Sequence, residues 1–385
     1  MKKIRILHHS NQLGLGGTEK EIQIFCKYFD REKFEFHVTA PESPISLNRR
    51  VLDLARALLG SARARSRKEQ NKYALSRVDE FKKILGPQNL HLYTPKNFES
   101  ILRKIAPHIL HVHHSGEFVP PLNQPRLLKT VPLLFTVNVF GFKDSTCQDL
   151  IHKILFPSQW LMESVGWTKG DARCDVLYCP IEKPLTKENL RGELGIGENI
   201  FVLGRVGRNA DDIHDSISLR AYKEIETDAT LFLVMAPPPR MVKEAKELGI
   251  KNIRYLEPTV DDLFLSRFYN TIDVLAHARA DGETFGCVIA EAMIHGKPVI
   301  SHYSNQRNAQ AELLQEGCGF VVEQGNWKKY SERIKLLQED KQLRYSMGNC
   351  AKKRALENFE ASVVTKRLES FYMDKLGTEP YLPNK

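Results

Sequence analysis

The sequence predicts an α/β protein made of two doubly wound domains, each built on a parallel sheet. Three observations lead there. Short β-rich runs alternate with helix-length stretches in both halves of the chain. Several of those runs are continuously apolar, as strands of a sheet covered on both faces must be. A proline-bounded break, Pro180 to Pro184, followed by the polar stretch 186–199, then divides the alternation in two. The expected domains are therefore 1–183 and 184–360, with a tail at 361–385.

In the first half, strands are expected at 4–8, 34–39, 89–93, 108–113, 133–137, 154–156 and 175–178. In the second half they are expected at 200–206, 230–235, 253–256, 274–277, 299–302 and 320–322. A helix is expected from Glu21 to Phe29 and another from Ala361 to Leu376. With 385 residues and 42% apolar content the chain can bury two cores. No run approaches the roughly 20 apolar residues that cross a bilayer. The apolar run at the N-terminus is too short for a secretory signal and reads as a first strand, which points to a cytoplasmic protein.

Seven cysteines without C-x-x-C spacing point to free thiols, with neither a zinc site nor a disulfide framework. The net charge of +9 is uneven: residues 49–83 hold eleven Lys or Arg against four acids. Three readings fit this segment: peripheral contact with an anionic membrane, at its inner face, contact with an acidic polysaccharide, or an ordinary solvated helix. Nucleic acid is not expected as a partner, because aromatic residues do not interleave with the charges.

The most informative stretch runs from Asp281 to Ile300 (DGETFGCVIAEAMIHGKPVI). Two carboxylates, Glu283 and Glu291, stand eight positions apart around a loop that opens into a helix, which ends at Gly296 before a buried strand. Backbone N–H groups from Thr284 through Phe285 and Gly286 to Cys287 would face an anion at that helix start. Acids beside an anion site are poor phosphate ligands but good acceptors for sugar or ribose hydroxyls. Together with Phe285-Gly286 and Ala290-Glu291-Ala292-Met293, the run resembles the E-x7-E signature of retaining glycosyltransferases of family 4.

That resemblance implies the GT-B fold, in which two Rossmann-like domains face each other across a cleft and a final helix crosses back to the first domain. It implies a nucleotide-diphosphate sugar as donor and a glycan or lipid-linked hydroxyl as acceptor. It also implies that Glu283 contacts the donor sugar and Glu291 the ribose. The loop Leu13 to Glu19, with Gly16 and Gly17, resembles the family's Gly-Gly-x-Glu loop beside donor phosphates and acceptor. The dinucleotide spacing G-x-G-x-x-G is absent.

Arg208, with Arg205 as a shifted alternative, matches the family's phosphate-binding arginine at a strand end. The lysine that usually follows is missing; His214 stands near its place and Arg240 is a candidate substitute. Asn138 stands where many relatives carry a histidine; an amide can orient a sugar hydroxyl or donate to developing charge, but it cannot act as a base. His111 and His113 share one strand face, for which a structural or substrate-facing role is expected rather than a metal. The nearest Asp-x-Asp-like pairs are Asp281 with Glu283 and Asp211-Asp212, and no catalytic metal is expected. Two rivals are a non-catalytic nucleotide-sugar or glycan-binding protein and a nucleotide-sugar epimerase, both of the same fold.

Overall fold

The computed structural model describes residues 3–14, 16–42, 74–143, 146–168, 170–315 and 317–378. Residues 49–73 of the basic segment lie outside the described residues. The chain divides into two compact units: one takes the described residues up to Pro180 and the helix starting at Ala361, the other Ile181–Glu360.

The first unit contains β1 (Ile4–His9), α1 (Gly17–Tyr28), β2 (Phe34–Pro41), α2 (Val78–Leu85), β3 (Leu90–Tyr93), α3 (Phe98–Ile105) and β4 (Ile109–His114). It continues with the short α4 (Pro125–Leu128), β5 (Leu133–Asn138), β6 (Lys153–Phe156), α5 (Gln159–Ser164) and β7 (Cys174–Val176). The second unit begins with β8 (Phe201–Arg205), α6 (Ile217–Ile225), β9 (Thr230–Met235), α7 (Pro239–Glu247), β10 (Ile253–Leu256), α8 (Asp262–Thr271) and β11 (Val274–Ala276). Then come β12 (Gly282–Glu283), α9 (Cys287–Ile294), β13 (Val299–His302), β14 (Arg307–Asn308), α10 (Ala309–Leu313), β15 (Gly319–Val322), α11 (Trp327–Glu339) and α12 (Lys341–Asn358). The last helix, α13 (Ala361–Thr378), belongs to the first unit.

The first sheet has the order β3-β2-β1-β4-β5-β6-β7 and the second β10-β9-β8-β11-β13-β15, and every pairing in both is parallel. In each unit the chain leaves the first strand of its sheet in two directions, so a switch point falls between β1 and β4 and again between β8 and β11. Open α/β sheets offer ligand crevices beyond the carboxyl ends of strands at such points.

Alternation along the strands sorts the core of the first unit. Leu7, Leu110 and Leu134 are in register and point to the face covered by α3. Ile6, Ile109 and Leu133 point to the opposite face, which is covered by α1, α2 and α13. All thirteen expected strands are present with ends shifted by a residue or two. The ladder β12–β14 was not foreseen, because two residues per strand leave no periodicity to read. Helix α1 begins at Gly17 rather than Glu21, with Gly16 in extended backbone as its cap. Among the described residues no helix is long and apolar enough to cross a membrane.

The described end of the basic segment is helical and packs on the core through Phe81 and Leu85. Lys82 and Lys83 pair with Asp79 and Glu80 at the surface. Arg77 is buried and donates to the Gly14 carbonyl at 3.1 Å and to Gln23 Oε1 at 2.8 Å, so this cation holds the glycine loop instead of meeting a partner.

His8, His111 and His113 share the face under α13, all essentially without solvent contact. One ring nitrogen from each lies within 4.8 Å of the others. His8 Nδ1 is 3.2 Å from His113 Nε2, and the Tyr372 hydroxyl meets His8 Nε2 at 3.3 Å and His111 Nδ1. His113 Nδ1 lies 3.5 Å from Glu21. His111 and His113, for which a structural or substrate-facing role was expected, thus belong to a buried polar network between the sheet and two helices.

Burial and neighbouring imidazoles push His8 and His111 far below the ordinary histidine range, and His9 down to about 3. The unfolded chain takes up these protons near pH 6.5 while the folded unit does not, so stability falls with falling pH. The first unit is expected to lose about 1.4 kcal/mol per pH unit for each such histidine below pH ~6.5, continuing toward His9's lower value. Urea midpoints measured from pH 7.5 to pH 4.5 check this, and a flat profile contradicts it.

Candidate functional site

The acid pair sits at the carboxyl edge of the second sheet. Strand β11 delivers His277, and the chain then turns through Arg279 and Asp281 into β12, which carries Glu283. Gly282 has φ of +65°, and a Cβ there would stand 1.7 Å from the Arg307 carbonyl oxygen, so only glycine lets β12 lie against β14. Gly286, at φ +108°, turns the chain into α9 without a side-chain cap. The first-turn N–H groups of α9 thus point out of the helix beside Glu283.

Glu283 is held from two sides. His277 Nε2 lies 3.0 Å from its Oε1, and Ser301 Oγ lies 2.8 Å from the opposite ring nitrogen. Arg279 Nη1 is 3.7 Å from the same carboxylate oxygen, and the Glu283 N–H donates to Gln310 Oε1 at 3.2 Å. Burial alone would push this carboxyl up, but Arg279, His277 and Arg208 outweigh it and hold it at about 2. Glu283 is therefore held ionised well below neutral pH.

Arg279 also grips Asp281, at 2.6 and 3.1 Å, and Arg307 reaches the same carboxylate at 2.8 Å. Both oxygens of Asp281 are thereby spent on guanidinium groups. Glu291, on the buried side of α9, accepts the Tyr269 hydroxyl at 2.7 Å. Phe285 packs its ring edge-on against Phe359 at 5.3 Å and is 2% exposed, so what it can offer a ligand is backbone. Thr284 and Cys287 flank the same turn, half-buried.

The two arginines after β8 differ in kind. Arg205 is buried at the strand end, and burial lowers its guanidinium to about 10. Arg208 is exposed in the loop beyond, within electrostatic reach of Arg279, Asp212, Asp281 and Glu283. His214 and Arg240 do not replace the missing lysine directly: both bond Glu244, at 2.8 Å each. Arg279 is the cation that sequence reasoning missed. Its signal was spacing, since in extended backbone Arg279, Asp281 and Glu283 alternate onto one side.

In the first unit, Gly16 and Gly17 open α1 beside the end of β1. Glu19 in the first turn of α1 is buried, which raises its carboxyl. Asn138 ends β5, and its amide is engaged within the protein: Nδ2 donates to the Phe142 carbonyl at 2.9 Å and Oδ1 accepts from the Gly141 N–H at 2.7 Å. These two bonds shape the loop 138–142. A small recess beside it is lined by His114, Thr136, Lys143, Gln148 and Trp167.

These two sheets, each with its loops at the carboxyl edge, define the class as GT-B. Residues 186–354, somewhat under half of the chain, match the family model described as glycosyl transferases group 1. Over 193 residues it is 28% identical to the capsular polysaccharide biosynthesis glycosyltransferase CapM of Staphylococcus aureus. That match covers 45% of this chain and 46% of the relative, so the chain spans about half the length of the curated relative it matches. A solved glycosyltransferase of Rickettsia africae shares the fold at 15% identity, with TM-score 0.73 over 98% of this chain and 100% of that one. Anabaena HepE, solved with UDP and glucose, does so at 17% identity, with TM-score 0.68 over 96% and 100%.

Replacing Arg279 by leucine would leave two half-buried acids short of their cation. The second unit is expected to lose about 2 kcal/mol in urea unfolding, less than the cost of breaking a fully buried ion pair from one side. An unchanged midpoint would mean that the network carries no weight.

Proposed function

We propose that the protein is a retaining glycosyltransferase that moves a sugar from a nucleotide diphosphate to a hydroxyl of a glycan or lipid-linked acceptor, without a metal. The observation that carries this reading is Glu283, a carboxylate kept ionised by Arg279 and His277 beside the open start of α9, with the exposed Arg208 across from it. The match to the family model supports it, as do the likeness to CapM, a capsular polysaccharide biosynthesis glycosyltransferase, and the HepE structures with UDP and UDP-glucose.

In this reading Arg208 and the first-turn amides of α9 take the diphosphate, and Glu283 accepts hydroxyls of the donor sugar. Glu291, oriented by Tyr269, accepts the ribose hydroxyls. As the glycosidic bond to phosphate lengthens, the leaving phosphate gains charge, which Arg208 and the helix N-terminus stabilise. The acceptor hydroxyl then attacks from the same face and gives its proton to that phosphate, so no protein base is required and configuration is retained. Asp281 supports the metal-free reading, because both of its oxygens already bind arginine.

A non-catalytic nucleotide-sugar-binding protein is the second reading. It is favoured by His214, tied to Glu244 where a lysine was expected, and by the engaged amide of Asn138.

Glu283→Gln separates the two. Transfer is expected to fall at least about 100-fold, a loss of ~2.7 kcal/mol of transition-state stabilisation, while thermal shifts with uridine, guanosine or adenosine diphosphate stay near the parent's. Donor binding by the parent with no turnover toward any acceptor or water would establish the binding protein instead. Exhaustive chelation is expected to leave transfer unchanged, and loss restored by Mg²⁺ or Mn²⁺ would overturn the metal-free mechanism.

A further inference from the structure

Cys318 and Cys350 come together although 32 positions separate them, with sulfurs 3.0 Å apart. That is closer than ordinary sulfur contact and a small movement from bonding distance. The approach is enforced by backbone. Gly348, two residues before Cys350 on α12, lies where a Cβ would be 2.2 Å from the Gly296 carbonyl oxygen. Gly319, directly after Cys318, lies where a Cβ would be 2.5 Å from the Val299 carbonyl oxygen. Two glycines therefore press α12 and β15 onto the same ground and leave the sulfurs facing. Cys318 is buried at 1% exposure, whereas Cys350 is partly exposed. One thiol is thus reachable from solvent, and its partner waits behind it.

We propose that this pair is a redox modification site that closes to a disulfide with a small-molecule disulfide as oxidant. The Cys350 thiolate attacks one sulfur of oxidised glutathione, and one glutathione thiolate leaves. The Cys318 thiolate then attacks the Cys350 sulfur and expels the second glutathione. Two protein thiols are oxidised by two electrons, one glutathione disulfide is reduced to two thiols, and the two protons end on glutathione. The bond staples α12 to the entry of β15. Helix α12 runs on to Phe359, whose ring backs Phe285 in the Glu283 turn, so oxidation stiffens the support of that turn. This holds whichever ligand the turn receives.

The test treats the full chain with millimolar oxidised glutathione, alkylates it and digests it with trypsin without reduction. Peptides 308–328 and 345–352, each with one of these cysteines, are expected joined and lighter by two hydrogens than their sum. The melting midpoint of the second unit is expected to rise by roughly 5 °C, reversed by dithiothreitol and absent in Cys350→Ser. Both cysteines alkylated, or glutathione retained on Cys350 beside an alkylated Cys318, would overturn the proposal. A shift that persists in Cys350→Ser would assign the stabilisation elsewhere and overturn it as well. The peptide map needs no variant, so it decides the matter even where the serine protein does not fold.

Discussion

A carboxylate taken out of water stays charged only where fixed cations and donors replace the lost hydration, and the second unit is arranged around that constraint at Glu283. Its acid is buried, yet Arg279, His277 and Arg208 hold it at about 2. The arrangement is layered. Arg279 is itself oriented by Asp281, Asp281 is shared with Arg307, and Arg307 lies on the strand that β12 pairs with. Gly282 permits this pairing, since a side chain there would collide with the Arg307 carbonyl. The chemistry of one oxygen atom thus reaches back to a glycine dihedral angle.

Sequence disclosed the large-scale plan because parallel sheets leave a broad signal. Runs such as Leu231 to Val234 are apolar without alternation, and the prolines between Pro180 and Pro184 interrupt them where the second unit begins. The acid pair was legible for another reason: a helix start, two glutamates and a terminal Gly296 occur in one uninterrupted stretch. What stayed hidden was assembled from distant segments. His277 and Arg279 precede the motif, Arg307 and Gln310 follow it, and Tyr269 lies a helix away. Only the fold brings them to Glu283 and Glu291. The engaged state of Asn138 was equally hidden, since its partners belong to a turn whose geometry no periodicity encodes.

The first unit shows how residue type misleads when burial is unknown. Histidines on strand ends look like ligands or bases, yet His8, His111 and His113 lie in a dry interface beneath Tyr372. Burial holds His8 and His111 neutral, so the same network that orders the sheet against α13 makes the unit sensitive to acid. Arg77 tells a similar story. Within a strongly basic stretch it reads as surface charge, but it is buried and fixes the glycine loop through Gly14 and Gln23.

The absence of the lysine that the resemblance implies acquires a physical sense from these contacts. A phosphate needs positive potential at the helix start, and a lysine after Arg208 would supply it from the loop. Here a second guanidinium, Arg279, enters from the opposite side through the strand end, but it comes already bound to two acids. Its net effect at long range is therefore small, while its effect on the position and charge of Glu283 is large. Arg208 is exposed in its loop, although surrounding atoms and Arg279 lower its guanidinium, and in the proposed reading it is the cation that a diphosphate would meet first. In the proposed reading, a rigid acid in place of a mobile cation would favour recognition of sugar hydroxyls over tight capture of phosphate.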